Sequence, residues 1–333
     1  MNYDCFPFFN ELDLLEIRLN ELDQVVDRFV IVEATMTHNG GSKPLYYKEN
    51  MARFAKFNHK IIHVVVDDFS LAEQGRTFQE RAWMRENIQR NSIAKGLEGA
   101  ADDDIVIISD LDEIPRADKV QEGVAECVSH EVIGFALAHY NYYLNFRNVS
   151  EPIWGNDPKM ARVETFRDKA AYRTSIYNHF VLESVNQVAS ATRFRYIQAS
   201  RRIMNAGWHF SYLGGAEAAA KKLRAFNEMG LYNKANMEDF VRKRIESGRS
   251  LWGRDRFMAE PLDGSFPDFV LANRERFAHL IIQSVPCQNV RIRLQRGWFR
   301  LTASVRRFAM RILFAITPRC VRRIAKRILG VDA

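Results

Sequence analysis

The chain is poor in the residues that staple or punctuate a fold. It has four cysteines in 333 residues, Cys5, Cys127, Cys287 and Cys320. They stand far apart, with no C-x-x-C pair and no histidine at zinc-finger spacing. That excludes a disulfide framework and a structural zinc site, and reads as reduced thiols of a cytoplasmic protein. No internal repeat and no low-complexity tract occurs. The first residues, MNYDCFPFFNELDLLEIRL, lack a basic leader and an uninterrupted apolar run. They are read as neither signal peptide nor membrane anchor. With that reading, the lone N-x-S sequon at Asn148 carries no glycosylation expectation.

What is present is apolar material and uneven charge. Hydrophobic residues make up 47% of the chain, enough for the core of one large α/β domain or two modest ones. Of 48 basic and 41 acidic residues, twelve basic and one acidic, Asp332, fall from Asn289 onward. The first 288 residues thus hold 36 basic and 40 acidic residues. A mildly acidic body, 1–288, and a strongly basic tail, 289–333, are expected, and the tail suits an anionic surface.

Periodicity supplies the elements. Glu11–Leu22 has apolar residues at helical spacing. RFVIVEA, KIIHVVVDD and DIVIISD are buried strands, and Arg76–Leu97 is a long helix between the second and third. That alternation predicts an α/β fold with a mixed, mostly parallel sheet flanked by helices. VIGFALAHYNYYLNF is apolar, aromatic and strand-rich. AEAAAKKLRAF and MEDFVRKRIESG read as helices. In the tail, Val305, Phe308, Ala309, Ile312, Leu313 and Ile316 form one apolar stripe. Beyond Pro318, Val321, Ile324, Ala325, Ile328 and Leu329 form another, with arginines and a lysine outside both. Two short amphipathic segments across 302–329 are expected either to lie on an anionic membrane surface or to dock on the body.

The stretch IVIISDLDEIP, Ile105–Pro115, runs a buried strand into Asp110, Asp112 and Glu113. Two readings are open. Aspartates before Pro115 suit a turn and a helix start. Alternation also places Asp110 and Asp112 on one side of the chain, where two carboxylates suit Mn²⁺ or Mg²⁺ shared with a phosphate. A second D-x-D, Asp102 and Asp104, precedes the strand, whereas ligands of open α/β sheets bind at the carboxyl ends. Three other stretches are candidates for the same pocket. They are the loop Thr37–Lys43 with His38, the helix bearing Arg85, Gln89 and Arg90, and NAGWHFSYLGG with Trp208 and His209 between glycines.

In order and rough spacing, FFNELDLLEIRLNEL, FVIVEATMTHNGGSKPL, IISDLDEIPR and AGWHFSYLGG resemble glycosyltransferase family 17, over roughly Phe6–Phe277. The resemblance implies a GT-A-type, Rossmann-like fold, a UDP-sugar donor, most simply UDP-N-acetylglucosamine, a divalent metal, a glycan acceptor and inversion at the anomeric carbon. It implies His209 beside Asp110 and Asp112 at the metal. Glu113 would bind through water or orient the acceptor. Arg85 and Arg90 would hold the diphosphate, with Gln89 beside them. Glu33, His38, Lys43 and Trp208 would line the donor pocket. The base stays open among Glu228, Glu183 and Glu164, with Glu228 ranked first although Asn227 stands where many relatives carry histidine. Animal members have a Golgi anchor. Its lack here points to a bacterial-type enzyme acting on a cytoplasmic or lipid-linked glycan, at the inner face of the plasma membrane. Two rivals remain. A D-x-D strand end also opens haloacid-dehalogenase-type phosphatases. The basic tail would also suit a nucleic-acid binder, although it lacks a recognisable nucleic-acid fold and no such partner is expected.

Overall fold

The structure is a computed structural model that describes residues 1–75, 77–168, 191–225 and 236–283. Twelve strands are described: β1 (Asn2–Phe8), β2 (Arg28–Ala34), β3 (Ile61–Val66), β4 (Ile105–Ile108), β5 (Glu113–Pro115), β6 (Ile133–Phe135), β7 (Ala138–Asn141), β8 (Phe146–Asn148), β9 (Lys159–Arg162), β10 (Arg201–Ile203), β11 (Gly207–Ser211) and β12 (Phe257–Ala259). Seven of them build one sheet, ordered β10-β6-β9-β4-β1-β2-β3, and five build a second, ordered β12-β8-β7-β11-β5. In the large sheet β3, β2, β1 and β4 are mutually parallel, and β9 runs antiparallel between β4 and β6. This is the mixed, mostly parallel α/β class expected.

The parallel strands form because their runs are apolar on both faces, as helices cover both sides of the sheet. All four residues of β4 are buried. On one face the helix Leu12–Leu22 packs Leu15, Leu19 and Leu22 against Phe6, Phe29 and Ile107. On the other face lies a second core of Val30, Val32, Val106 and Ile108 with Ile93 and Leu97. A third core joins the second sheet to the helices Gly215–Ala225 and Met237–Glu246 through Phe146, Leu223 and Val241.

Two differences from the sequence reading stand out. β1 is a central strand, NYDCFPF with Asp4 and Pro7 in it, where the periodicity assigned no element. Its buried Asp4 is neutralised by Arg18 of the following helix, Oδ1 to Nη2 at 2.6 Å. The long helix Arg76–Leu97 is instead Phe78–Asn91 followed by a short turn, Ile93–Gly96. Thr77 and Glu80 form a capping box at its start. At its end the Ser92 hydroxyl donates to the Ile88 carbonyl at 2.9 Å, competing with continuation of the helix.

The strand order fixes where a ligand can sit. From β1 the chain builds outward through β2 to β3, then returns to place β4 on the other side of β1. The carboxyl ends of β1 and β4 therefore diverge at a switch point, the usual crevice of an open α/β sheet. Glu33 lies one strand away, at the end of β2.

Candidate active site

A cleft of about 800 Å³ opens at that switch point. Asp110 and Asp112 line it from just past β4, Phe8 from the end of β1, Glu11 from just past β1, His209 from β11 and Lys222 from the helix Gly215–Ala225. The acidic turn is held from below. Arg18, wholly buried, donates through Nη1 to the carbonyls of Asp110, Leu111 and Glu113 at 2.8, 3.1 and 2.8 Å, and through Nη2 to Ser109 Oγ at 2.6 Å. Five N–H donors in a rigid fork make this possible for arginine alone. The turn bends because Glu113 reaches back to accept from the Asp110 N–H at 3.0 Å.

The carboxylates of the turn are each met by cations. Asp110 accepts from Arg90 at 2.9 Å and lies 3.1 Å from Arg195. Burial would raise its pKa, but the two guanidinium groups outweigh that and hold it at about 2. Asp112 lies 3.0 Å from Lys222 Nζ and 3.6 Å from His209 Nε2. Burial opposes its ionisation too, and Lys222 and His209 together hold it well below the usual carboxylate range. Lys222 also meets Glu11 at 3.0 Å, so both carboxylates keep its pKa up against the penalty of burial. Glu113 faces away from the cleft, in a bidentate pair with Arg195 and accepting from Trp154 Nε1 at 2.7 Å. It belongs to the scaffold of the turn. His209 stacks on Trp154, with centroids 4.0 Å apart, and its Nδ1 is buried without a hydrogen-bond partner among the described residues.

The residue types suit a hard divalent cation, since carboxylate oxygens and an imidazole share one wall. Asp112 Oδ1 and His209 Nε2 face each other at a distance too long for a hydrogen bond. Asp110 is turned toward Arg90 and Arg195, and among the described residues no three such donors are close enough together to hold a metal ion.

Other expected site residues divide. His38, Gln89 and Arg90 line the cleft, with His38 Nε2 and Gln89 Oε1 3.2 Å apart. Glu33, Lys43, Arg85 and Trp208 do not line it. Glu33 is fully buried, accepts from the Tyr47 N–H at 3.0 Å, and pairs with His63 and Lys43. Arg85 donates to the His38 carbonyl at 3.0 Å and Glu73 at 2.7 Å, shaping the loop from behind. Trp208 points to the opposite face of β11 from His209, because strand side chains alternate. It is buried in the main core, with its Nε1 on the Ser265 carbonyl at 3.0 Å. Gly207 ahead of it lies where a Cβ would stand 2.1 Å from the Ile114 carbonyl, at a φ of +145°. Glu164 sits at the far end of the sheet, its N–H on the Asp102 carbonyl, so it cannot serve as base. Glu183 and Glu228 lie outside the described residues. Arg18, Arg195, Lys222 and Trp154 were missed. Each is a long side chain arriving from a remote element, and no local pattern marks it.

The sequence model of glycosyltransferase family 17 matches residues 2–184. Among curated proteins, the chain is 26% identical over 306 residues to beta-1,4-mannosyl-glycoprotein 4-beta-N-acetylglucosaminyltransferase of Homo sapiens, covering 87% of this chain and 56% of that protein. It is 25% identical over 289 residues to the Rattus norvegicus protein of the same name, covering 82% and 53%. The chain therefore spans about half the length of these relatives. Among solved structures, S. aureus TarS 1–349 aligns at 11% identity and a TM-score of 0.35, covering 74% of this chain and 70% of that one. Glucosyl-3-phosphoglycerate synthase of Mycobacterium tuberculosis, in complex with Mn²⁺, uridine-diphosphate-glucose and glycerol 3-phosphate, aligns at 16% identity and a TM-score of 0.23, covering 42% and 44%.

Proposed function

From the membership of this chain in glycosyltransferase family 17, we propose that it transfers a sugar, N-acetylglucosamine, from its UDP donor to a hydroxyl of a glycan acceptor, with inversion. One observation supports this most. The Asp110–Glu113 turn stands at the carboxyl end of β4, at the switch point, and opens on a cleft shared with His209, Arg90 and Lys222. A carboxylate pair ringed by cations matches the needs of a departing diphosphate, whose charge grows as its bond to the sugar breaks.

Asp112 and His209, with Asp110 beside them, would hold a divalent cation, Mn²⁺ or Mg²⁺. Bound there, such a cation supplies positive charge to the leaving group. The chain contributes Arg90 and Lys222, whose N–H donors face the same space and suit phosphate oxygens. Gln89 and His38 form the wall toward the donor. Arg18 and Arg195 keep the turn from relaxing when the charge in front of it changes.

The test is a screen of purified protein with Mn²⁺ against a panel of nucleotide sugars, reading released nucleotide. UDP-N-acetylglucosamine is expected to react best. Asp110→Asn and Asp112→Asn are each expected to lower turnover by about 10²-fold or more. Asp102→Asn, at the opposite end of β4 and paired with Arg167 at 2.7 Å, serves as the control and is expected to change little. Equal loss at Asp102 would remove the assignment.

A further inference from the structure

Inversion requires a group that takes the proton of the attacking hydroxyl, and most carboxylates of the cleft are unsuited to that. Glu11 and Asp112 are held by Lys222, Glu86 by Arg90, and Asp110 by both Arg90 and Arg195. A carboxylate clamped by a cation is a weak proton acceptor, because taking the proton would forfeit the ion pair. Two carboxylate residues on the cleft wall, Asp255 and Glu151, form no ion pair among the described residues. They differ in setting. Glu151 is exposed, whereas Asp255 is half-buried.

The turn that carries Asp255 is built tightly. The Ser250 N–H donates to the Asp255 carbonyl at 3.1 Å, and the Asp255 N–H donates back to Ser250 Oγ at 3.2 Å. The Gly253 N–H bonds the Ser250 carbonyl at 2.9 Å, and Gly253 adopts a φ of +76°, which a side chain would strain. Ser250 itself is 1% exposed. The same turn carries Trp252, which is 43% exposed and lines the cleft. An exposed indole beside a carboxylate on a pocket wall suits a pyranose. The apolar face of the ring lies on the indole, and a hydroxyl reaches the carboxylate.

We infer that the Ser250–Asp255 turn is the acceptor subsite, with Asp255 as the general base and Trp252 as the platform for the accepting hexopyranose. This rests on the transferase reading above. In the step, the acceptor oxygen bonds to the anomeric carbon as the Asp255 carboxylate takes its proton. The bond from that carbon to the diphosphate breaks, and its electron pair leaves with the diphosphate. Water can replace the acceptor by the same route, so slow hydrolysis of the donor uses the same base.

The experiment uses the full chain, UDP-N-acetylglucosamine and Mn²⁺, without acceptor and with a panel of p-nitrophenyl hexopyranosides. Released UDP is read by kinetics and UDP affinity by calorimetry. Asp255→Asn is expected to lower UDP release by about 10²- to 10⁴-fold while UDP affinity stays within about twofold. Asp255→Glu, which keeps the carboxylate, is expected to recover part of the rate, and the melting temperatures of both variants identify any loss that comes from unfolding. Trp252→Ala is expected to raise the acceptor KM up to about tenfold with little change in kcat. Retention of more than a tenth of the rate by Asp255→Asn overturns the assignment, as does an equal or larger loss in Glu151→Gln or Glu228→Gln. Failure of the wild-type chain to glycosylate any hexopyranoside overturns the platform. If Asp110→Asn abolishes release while Asp255→Asn does not, this inference fails and the transferase reading stands. If the wild-type chain releases no nucleotide from any donor, both fall.

Discussion

Arg18 shows how a single buried side chain can set the geometry of a site it never touches. Its guanidinium joins Asp4 on β1 to three carbonyls and a hydroxyl around the acidic turn, with no exposure to solvent. Lysine can keep the charge but not the fork. Arg18→Lys is therefore expected to leave Asp4 underpaired and at least two carbonyls without donors, costing about 3–5 kcal/mol in chemical denaturation. In the folded fraction, turnover should fall as the turn loosens. A variant of unchanged midpoint would show that the turn holds itself. The same residue explains a gap in what could be read from sequence. Within ELDLLEIRLNEL, Arg18 looked like one of the charges on the outer face of an amphipathic helix. Its partner, Asp4, sits in the first strand, to which the periodicity assigned no element. Each hid the other, because a buried ion pair between distant positions breaks the apolar pattern at both ends. Asp110, Asp112 and His209 were legible because a strand end and a glycine-flanked string are local features.

At the scale of elements, the parallel strands were readable because both faces are buried and their runs are unbroken. β11 was half-read. The string GWHFS alternates, so Trp208 and Phe210 face the core while His209 and Ser211 face the cleft, and a donor-pocket role for Trp208 conflicts with the pleat. β9 carries the clearest tension. It crosses antiparallel between β4 and β6 with Lys159 beside Ile108 and Gly134, 6% exposed, its ammonium on the Asp157 carbonyl at 2.7 Å. Burial pushes the Lys159 pKa down to about 8, against the pull of the Asp157 carboxylate. Below that pH the lysine is charged in both states and the folded protein bears the full penalty. Between pH 8 and the ordinary lysine value of about 10.5, the unfolded chain binds more protons, so this group's contribution rises with pH. Lys159→Met is expected to stabilise the protein by up to about 3 kcal/mol near pH 7. The gain should shrink toward pH 10, as read from urea midpoints at the two pH values. A gain independent of pH would assign the effect to packing.

At the scale of the whole molecule, the described core closes before the basic tail begins. Leu280 is buried in the main core, and Ile282 exchanges hydrogen bonds with the Asn145 side chain at 2.9 and 3.0 Å. No helix among the described residues is long and apolar enough to cross a membrane. The expected segments across 302–329 lie outside the described residues, so their role is argued from sequence. Two apolar stripes separated by Pro318, each backed by arginines, have the pattern of segments that lie in an anionic bilayer interface. We propose that they attach the chain to an anionic bilayer, where each cation near the surface contributes about 1 kcal/mol. That placement suits a lipid-linked glycan acceptor. The full chain is expected to co-sediment with phosphatidylglycerol-containing vesicles at low salt and to be released as the Debye length falls to about 3 Å at 1 M salt. Replacing Arg322, Arg323, Lys326 and Arg327 by glutamine should weaken that binding. A chain ending at Gln288, which retains every described core contact, should stay folded and unbound. If that shortened chain unfolds, or the full chain ignores the vesicles at low salt, the tail belongs to the fold and the two stripes pack inward.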